Sequence, residues 1–298
     1  MSRKDDWEQT PGLLESWPIK FLPKPVTSKG GYEFLCSYLW KQTTSTTIYV
    51  PGTPANFKRG KAFYVDLDIV KNTLFISRRE SKAKTKQYTG HGRNFETAFT
   101  TDDLQLQQAE GHHRVIRYKF GGSNLIVRIE ADGDYPEGED VEDPPDEFFR
   151  NVLGTTTQTT IEHPSPHHTL VIAQGTVVPH NKTLELKSSS SKGAAFEQMW
   201  FGRTPYLCCA RHKEGSRGLI EAPDVIQITQ GEFEEWEVRN QKHLLRLAWF
   251  LNELRRITVE GTSLGAAVLV MTEKGAPLQI YEAKKSSGAL PKKIIERF

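Results

Sequence analysis

Two short strings place ionisable side chains at a spacing that a β-strand converts into a common face. Glu130-Ala131-Asp132 follows the β-rich run from Leu125 to Ile129, and Glu185-Leu186-Lys187 follows Thr183 and Leu184. Residues i and i+2 of a strand point the same way, so each string sets two charged groups side by side. If the two strands are neighbours, Glu130, Asp132 and Glu185 converge as hard oxygen donors suited to Mg2+ or Mn2+, with Lys187 beside them. A divalent cation there polarises a phosphoryl oxygen and acidifies a water, while the ammonium offsets charge developing in the transition state. That is a phosphodiester-cleaving arrangement. Either string alone is also what a solvated strand face looks like, so the reading depends on the elements around it.

Those elements are legible in outline. His113 to Phe120 alternates, Gly121-Gly122 turns the chain and Asn124 to Ile129 is again β-rich, which predicts a hairpin. Thr46 to Val50, Thr169 to Val178, Thr183 to Lys187, Tyr206 to Ala210 and Ala266 to Met271 read as strands, and Phe196 to Phe201 as a short helix. Gly231 to Arg256 is the clearest helix: Phe233, Trp236, Leu244, Leu247, Leu251 and Leu254 fall near one face. Residues 130 to 147 carry ten acids and no Lys or Arg, whereas Lys58 to Arg93 holds ten basic residues against three acids. The expected organisation is an irregular Pro-rich leader over 1–60 packed on the core, a single α/β domain over 61–283 with an acidic loop at 133–150, and a loose basic tail over 284–298.

The 298 residues, 37% hydrophobic and 26% charged, suffice for one large domain or at most two and exclude disorder throughout. Lys and Arg number 39 against 37 acids, a net charge of +2, so any nucleic-acid contact must be local. Cys36, Cys208 and Cys209, an odd count with two adjacent, suit neither a disulfide framework nor a zinc site, and imply an intracellular setting in nucleus or cytoplasm. The segment from Met1 to Trp17 lacks an apolar signal region, and nothing approaches the roughly 20 apolar residues of a span, so no membrane is expected.

Four pieces in order resemble the DXO-type family of RNA-decapping exonucleases over residues 88 to 225. Gly92-Arg93-Asn94-Phe95-Glu96 is similar to a family string that opens a helix, Glu130-Ala131-Asp132 to its Glu-x-Asp strand, and Glu185-Leu186-Lys187 to its Glu-Leu-Lys strand. Gln198, seven residues before Pro205, matches a Gln that precedes an apolar strand. The resemblance implies a central mixed β-sheet flanked by helices, a PD-(D/E)XK nuclease core. It implies Glu96, Glu130, Asp132 and Glu185 as ligands of Mg2+ or Mn2+, Glu185 and Lys187 as the catalytic pair, and Gln198 as a contact to the RNA backbone. Arg78, Arg79 and Arg93 lie in the region where the family's arginines grip the 5′ end, although the arginine motif itself has no match. The implied activity is removal of incomplete or atypical caps from the 5′ end of RNA, with onward degradation. A PD-(D/E)XK nuclease on other nucleic acid, or an RNA-binding scaffold partnering an exoribonuclease, are the alternatives. The chain also resembles a set of uncharacterised fungal proteins.

Other strings point to less. His112-His113 lacks the partners of a zinc site, and Gly261-Thr262-Ser263-Leu264-Gly265 fits G-x-S-x-G with helix and strand in the wrong order for a nucleophile elbow. Cys208-Cys209 sits in an apolar run, which favours inert thiols. Trp200 and Phe201 lie near enough to Gln198 to stack a base, burial being the commoner fate.

Overall fold

Among the described residues, hydrophobic periodicity resolves into three sheets and three α-helices. The computed structural model describes residues 7–9, 25–40, 63–78, 92–101, 111–136, 178–188, 192–210, 220, 222–273 and 276–284. In chain order the elements are β1 (Trp7–Gln9), β2 (Glu33–Trp40), β3 (Phe63–Val70), β4 (Thr73–Arg78), α1 (Gly92–Phe99), β5 (Gly111–Phe120), β6 (Ser123–Glu130) and β7 (Gly133–Asp134). They continue with β8 (Thr183–Lys187), α2 (Lys192–Gly202), β9 (Tyr206–Cys209), β10 (Asp224–Gln227), α3 (Gln230–Gly261), β11 (Ala266–Met271) and β12 (Gln279–Ala283). The sheet orders are β1-β12-β11-β3-β4, β10-β9-β8-β7 and β2-β5-β6. The strands expected at Thr46 to Val50 and Thr169 to Val178, the acidic segment beyond Pro136 and the tail beyond Lys284 lie outside the described residues.

The four-stranded sheet is mixed: β8 pairs parallel with β9, while β7 and β10 run antiparallel at its edges. A parallel pair needs a crossover, which α2 supplies. Helix α1 covers one face, Phe95 packing on Leu184, Leu186, Tyr206 and Cys208. On the other face Leu207 joins Ala195 and Met199 of α2. The expected α/β arrangement, a mixed sheet between helices, is therefore present, and two antiparallel sheets accompany it.

The predicted hairpin is β5 and β6. Gly121 and Gly122 have φ of 57° and 90°, the left-handed region that a tight hairpin turn needs at both central residues. Its inward face carries Ile116, Tyr118 and Phe120 into the core. The segment expected to be an irregular leader contributes two strands instead. β2 pairs along β5 with a bulge between Phe34 and Cys36, and β1 adds to β12. Phe34 packs, partly buried, against the core, and β2 occupies the Pro-free stretch between Pro25 and Pro51, where every backbone N–H is available to a sheet ladder.

Helix α3 is longer than its apolar stripe suggests, 32 residues or about 48 Å. Thr229 begins it with a reciprocal capping box: the Glu232 N–H donates to Thr229 Oγ1 and the Thr229 N–H donates to Glu232 Oε2. Past Arg256 the helix continues because Ile257 and Thr258 are buried; the Thr258 hydroxyl is spent on the Leu254 carbonyl. Phe233, Leu244 and Ala248 pack into the hairpin core, and Leu254 and Ile257 pack on Val65, Leu67 and Leu269 of the five-stranded sheet. One helix thus serves two cores. At its start, Gln241 clasps the Val26 backbone N–H and C=O at 2.7 and 3.0 Å, and Glu237 accepts from the Ser28 N–H at 2.8 Å.

His180 is fully buried, with Nε2 2.8 Å from the Gly202 carbonyl and Tyr32 edge-on. Burial first, and then the Arg114 charge, hold its pKa down at about 3. The unfolded chain takes up a proton below about pH 6.5 and the folded state does not, so this stability is present above that pH and is lost as pH falls toward 3. Urea melts from about pH 7 to about pH 4 should show the parent losing more stability than His180→Asn. The variant keeps a residual slope from His112, lowered to about 4 by burial and by Arg114.

Candidate active site at the corner of two sheets

Strand β8 does what its sequence spacing predicts. Glu185 and Lys187 share the face turned toward α2 and form an ion pair, with Glu185 only 2% exposed. Leu184 and Leu186 point the other way, toward Phe95. From α2, Gln198 Nε2 donates to Glu185 Oε2 at 2.8 Å, so Lys187 and Gln198 each hold one oxygen of the same carboxylate.

Glu130 and Asp132 arrive differently from the expected single strand face. β6 ends at Glu130, the Ala131 N–H bonds the His112 carbonyl at 2.8 Å, and the chain then crosses to the mixed sheet, where Gly133 pairs with Leu184. Asp132 sits in that corner, Oδ2 accepting from the Leu186 N–H at 2.9 Å. Glu130 remains exposed at the end of the hairpin. The reason is topological: the string links two sheets, so its acids approach β8 from a bend.

Electrostatics tie the groups together. Burial, then the neighbouring Asp132, push the Glu185 carboxyl up to about 7 against the pull of Lys187, and Glu130 adds to the rise. Asp132 is also raised, first by burial and further by Glu130, although the Leu186 N–H and Lys187 oppose the change. Burial alone would lower Lys187, but the charge and hydrogen bond of Glu185, with Asp132 and Glu96 behind them, leave it raised. The ammonium therefore stays protonated.

Glu96 lies on α1, half-buried, and its charge reaches Lys187. The Arg78 and Arg93 side chains and the whole of Arg79 lie outside the described residues. Asp132, Glu185, Lys187 and Gln198 are thus brought to one corner, with Glu130 and Glu96 at its margin, from where their charges reach it. The donor chemistry fits a hard divalent cation, since crowded carboxyls with raised pKa values gain from a positive neighbour. Among the described residues, however, no three His, Cys, Asp or Glu side chains are grouped closely enough to hold a metal ion. The Lys187 ammonium stands against Glu185 where positive charge is wanted.

Trp200 and Phe201 are core residues, 0% and 5% exposed, and present no ring to a base. Cys208 is buried and its thiol pushed up by that burial, as an inert thiol should be. Sequence reasoning missed Arg203, clamped between the Tyr118 and Trp200 rings at 4.4 and 4.3 Å, and Glu237, which accepts from Trp200 Nε1 at 2.9 Å. A charged residue in an otherwise apolar run was the available signal. It also missed the cations of the hairpin's outer face, whose alternation announced a strand and nothing else.

Removing Lys187 leaves Glu185 buried without its counter-ion, which raises its pKa further, so folding stability should fall more steeply as pH rises through about 7. Denaturant melts at about pH 5.5 and about pH 8.5 in the presence of a chelator should show Lys187→Ala losing more at the higher pH. Glu185→Gln/Lys187→Ala, which buries no ionisable group at position 185, should abolish the difference.

Comparison with known proteins gives three findings. No curated protein matches the sequence. Solved structures of Rai1 resemble the fold at low identity. The S. pombe protein in complex with 3'-FADP has TM-score 0.46 at 12% identity, over 76% of this chain and 66% of that one. The Candida albicans protein in complex with pU5-Mn2+ has 0.46 at 13%, over 82% and 70%. The Scheffersomyces stipitis protein in complex with (3'-NADP)+ and calcium ion has 0.42 at 12%, over 81% and 64%. This chain thus spans about two thirds of their length. A family model described as "Domain of unknown function (DUF8563)" matches residues 16–62 and 56–298, nearly the whole chain, and the protein belongs to that family.

Proposed function

We propose that this protein is a divalent-metal-dependent hydrolase acting on the 5′ end of RNA, where it removes incomplete or atypical caps and degrades onward. The observation that carries the reading is the corner itself. The buried Glu185 carboxyl is raised by burial and then by the half-buried Asp132 next to it, Asp132 is itself raised by burial and by Glu130, and both stand beside a lysine that stays protonated. Buried ion pairs that serve only stability do not need a second acid. The RNA 5′ end comes from the motif resemblance, as do Arg78, Arg79 and Arg93 as its grip.

In this reading Asp132 and Glu185, with Glu130 and Glu96 at the margin, would hold Mg2+ or Mn2+. The ion supplies Lewis-acid polarisation of a phosphoryl oxygen. Lys187 cannot act as a base while its Nζ stays protonated, so it offsets negative charge developing on the phosphoryl group. Glu185, held up at about 7 by burial and then by Asp132 while no cation is bound, would give up its proton as the cation binds and serve as an anionic ligand. Gln198 fixes the Glu185 carboxylate from α2, and its contact to the RNA backbone comes from the motif resemblance.

A second reading has one observation in its favour. Both Glu185 oxygens are engaged by Lys187 and Gln198, which suits a domain that binds RNA without cleaving it and partners an exoribonuclease. Incubating the protein with triphosphate, monophosphate, NAD-capped and methyl-capped RNAs in Mn2+ or Mg2+ separates the two. The hydrolase reading expects product from at least one 5′ end, lost in Glu185→Gln and reduced by roughly 10²-fold or more in Lys187→Ala. Binding without product under every condition supports the scaffold.

A further inference from the structure

The outer face of the β5–β6 hairpin is charged along its length and leads to the acid corner. Side chains alternate across an antiparallel sheet, and Ile116, Tyr118 and Phe120 point inward, so Arg117 and Lys119 point outward. The register sets Lys119 opposite Asn124 and Arg117 opposite Ile126, and carries the same face past Arg128 to Glu130. Arg117, Lys119, Asn124, Ile126 and Glu130 are exposed, Ile126 by 53%. Three cations thus flank an apolar platform on a face that ends at the acid whose charge acts on Asp132 and Glu185.

We propose that this face is a track for single-stranded nucleic acid, delivering the strand along β6 toward Glu130 and the Asp132–Glu185 corner; its direction toward that corner rests on the hydrolase reading above. Cations on one strand face repeat every two residues, roughly 6.8 Å, which suits the phosphates of an extended single strand better than one compact anion. Asn124 adds amide donors and Ile126 an apolar surface for a base. Arg117 is paired with Glu33, but both side chains are exposed, and such a pair exchanges for a phosphate at little cost. The track differs from the basic stretch of residues 58–93 that composition singles out.

The test uses a fluorescent oligouridylate and the full chain in EDTA, so that binding is read without hydrolysis. Lys119→Ala/Arg128→Ala should weaken binding and lower the slope of log affinity against log salt by about 1.4, near 0.7 for each phosphate no longer neutralised. Lys119→Glu, a change at an exposed position that folding tolerates, should weaken binding on its own. Lys71→Ala/Lys284→Ala, exposed at the five-stranded sheet, should leave affinity and slope unchanged, and 4-thiouridine cross-links should map to residues 111–130. An unchanged slope in the first variant, cross-links elsewhere, or a parent that binds no oligouridylate overturns the track. So does preferential binding of an acidic peptide or of anionic vesicles. A parent that cleaves RNA but keeps its slope in that variant overturns the track alone. Slope loss without cleavage of any RNA supports the track and overturns the hydrolase.

Discussion

A carboxylate withdrawn from water must be neutralised, paired or hydrogen-bonded, at a cost of several kcal/mol if it is not. Glu185 meets this demand with an ammonium two residues along its own strand and an amide from the helix packed over it. Each partner imposes geometry. Lys187 must stay on the same face of β8, so the strand must run regularly through both residues. Gln198 must lie over that face, so α2 must return directly after β8, and the parallel pairing with β9 follows from that return. Asp132, bound to the Leu186 N–H, then fixes where the chain leaves the hairpin for the mixed sheet.

The long helix keeps this corner in place from behind. α3 packs on α2 through Phe233 and Trp236, whose rings lie 5.4 and 6.3 Å from that of Phe196, and on the five-stranded sheet through Leu254 and Ile257. Its Glu237 accepts from both Trp200 of α2 and the Ser28 backbone. The segment from Val26 to Ser28 is thereby tied to the helix that presents Gln198. The chain next forms β2, which pairs with β5, so the leader braces the hairpin as well.

Much of this is legible in the sequence because it depends on local pattern. Residues 183 to 187 and 266 to 271 read as strands at their observed bounds, and the Gly121-Gly122 turn follows from glycine's freedom at positive φ. The acids of the corner are found through their order along the chain. What local pattern cannot carry is the partition of the described strands into separate sheets, because the crossing at Glu130 to Gly133 depends on which strand β7 meets. Nor can it show that β2 belongs to the hairpin sheet, since Phe34 looks like any exposed aromatic until Arg114 and His180 are found against it. The end of α3 escapes it for the same reason: Ile257 and Thr258 are held by burial against another sheet, and helix propensity alone is a weak guide there.

Two buried glutamates, Glu185 and Glu237, separate structural from chemical burial. Glu237, 4% exposed, accepts from two neutral N–H groups, and its charge also acts on Arg203, itself clamped between aromatic rings. Every partner there is a hydrogen-bond donor or a cation, and nothing in that setting calls for a further cation. Glu185 has a lysine and an amide, which would satisfy it in the same way, yet burial, and after it the neighbouring Asp132, push its pKa up to about 7. The second acid undoes part of what Lys187 supplies, a cost that stability alone gives no reason to keep. Keeping both makes sense where an additional positive charge is sometimes present, and a divalent cation or a proton in transit are the chemical forms such a charge takes.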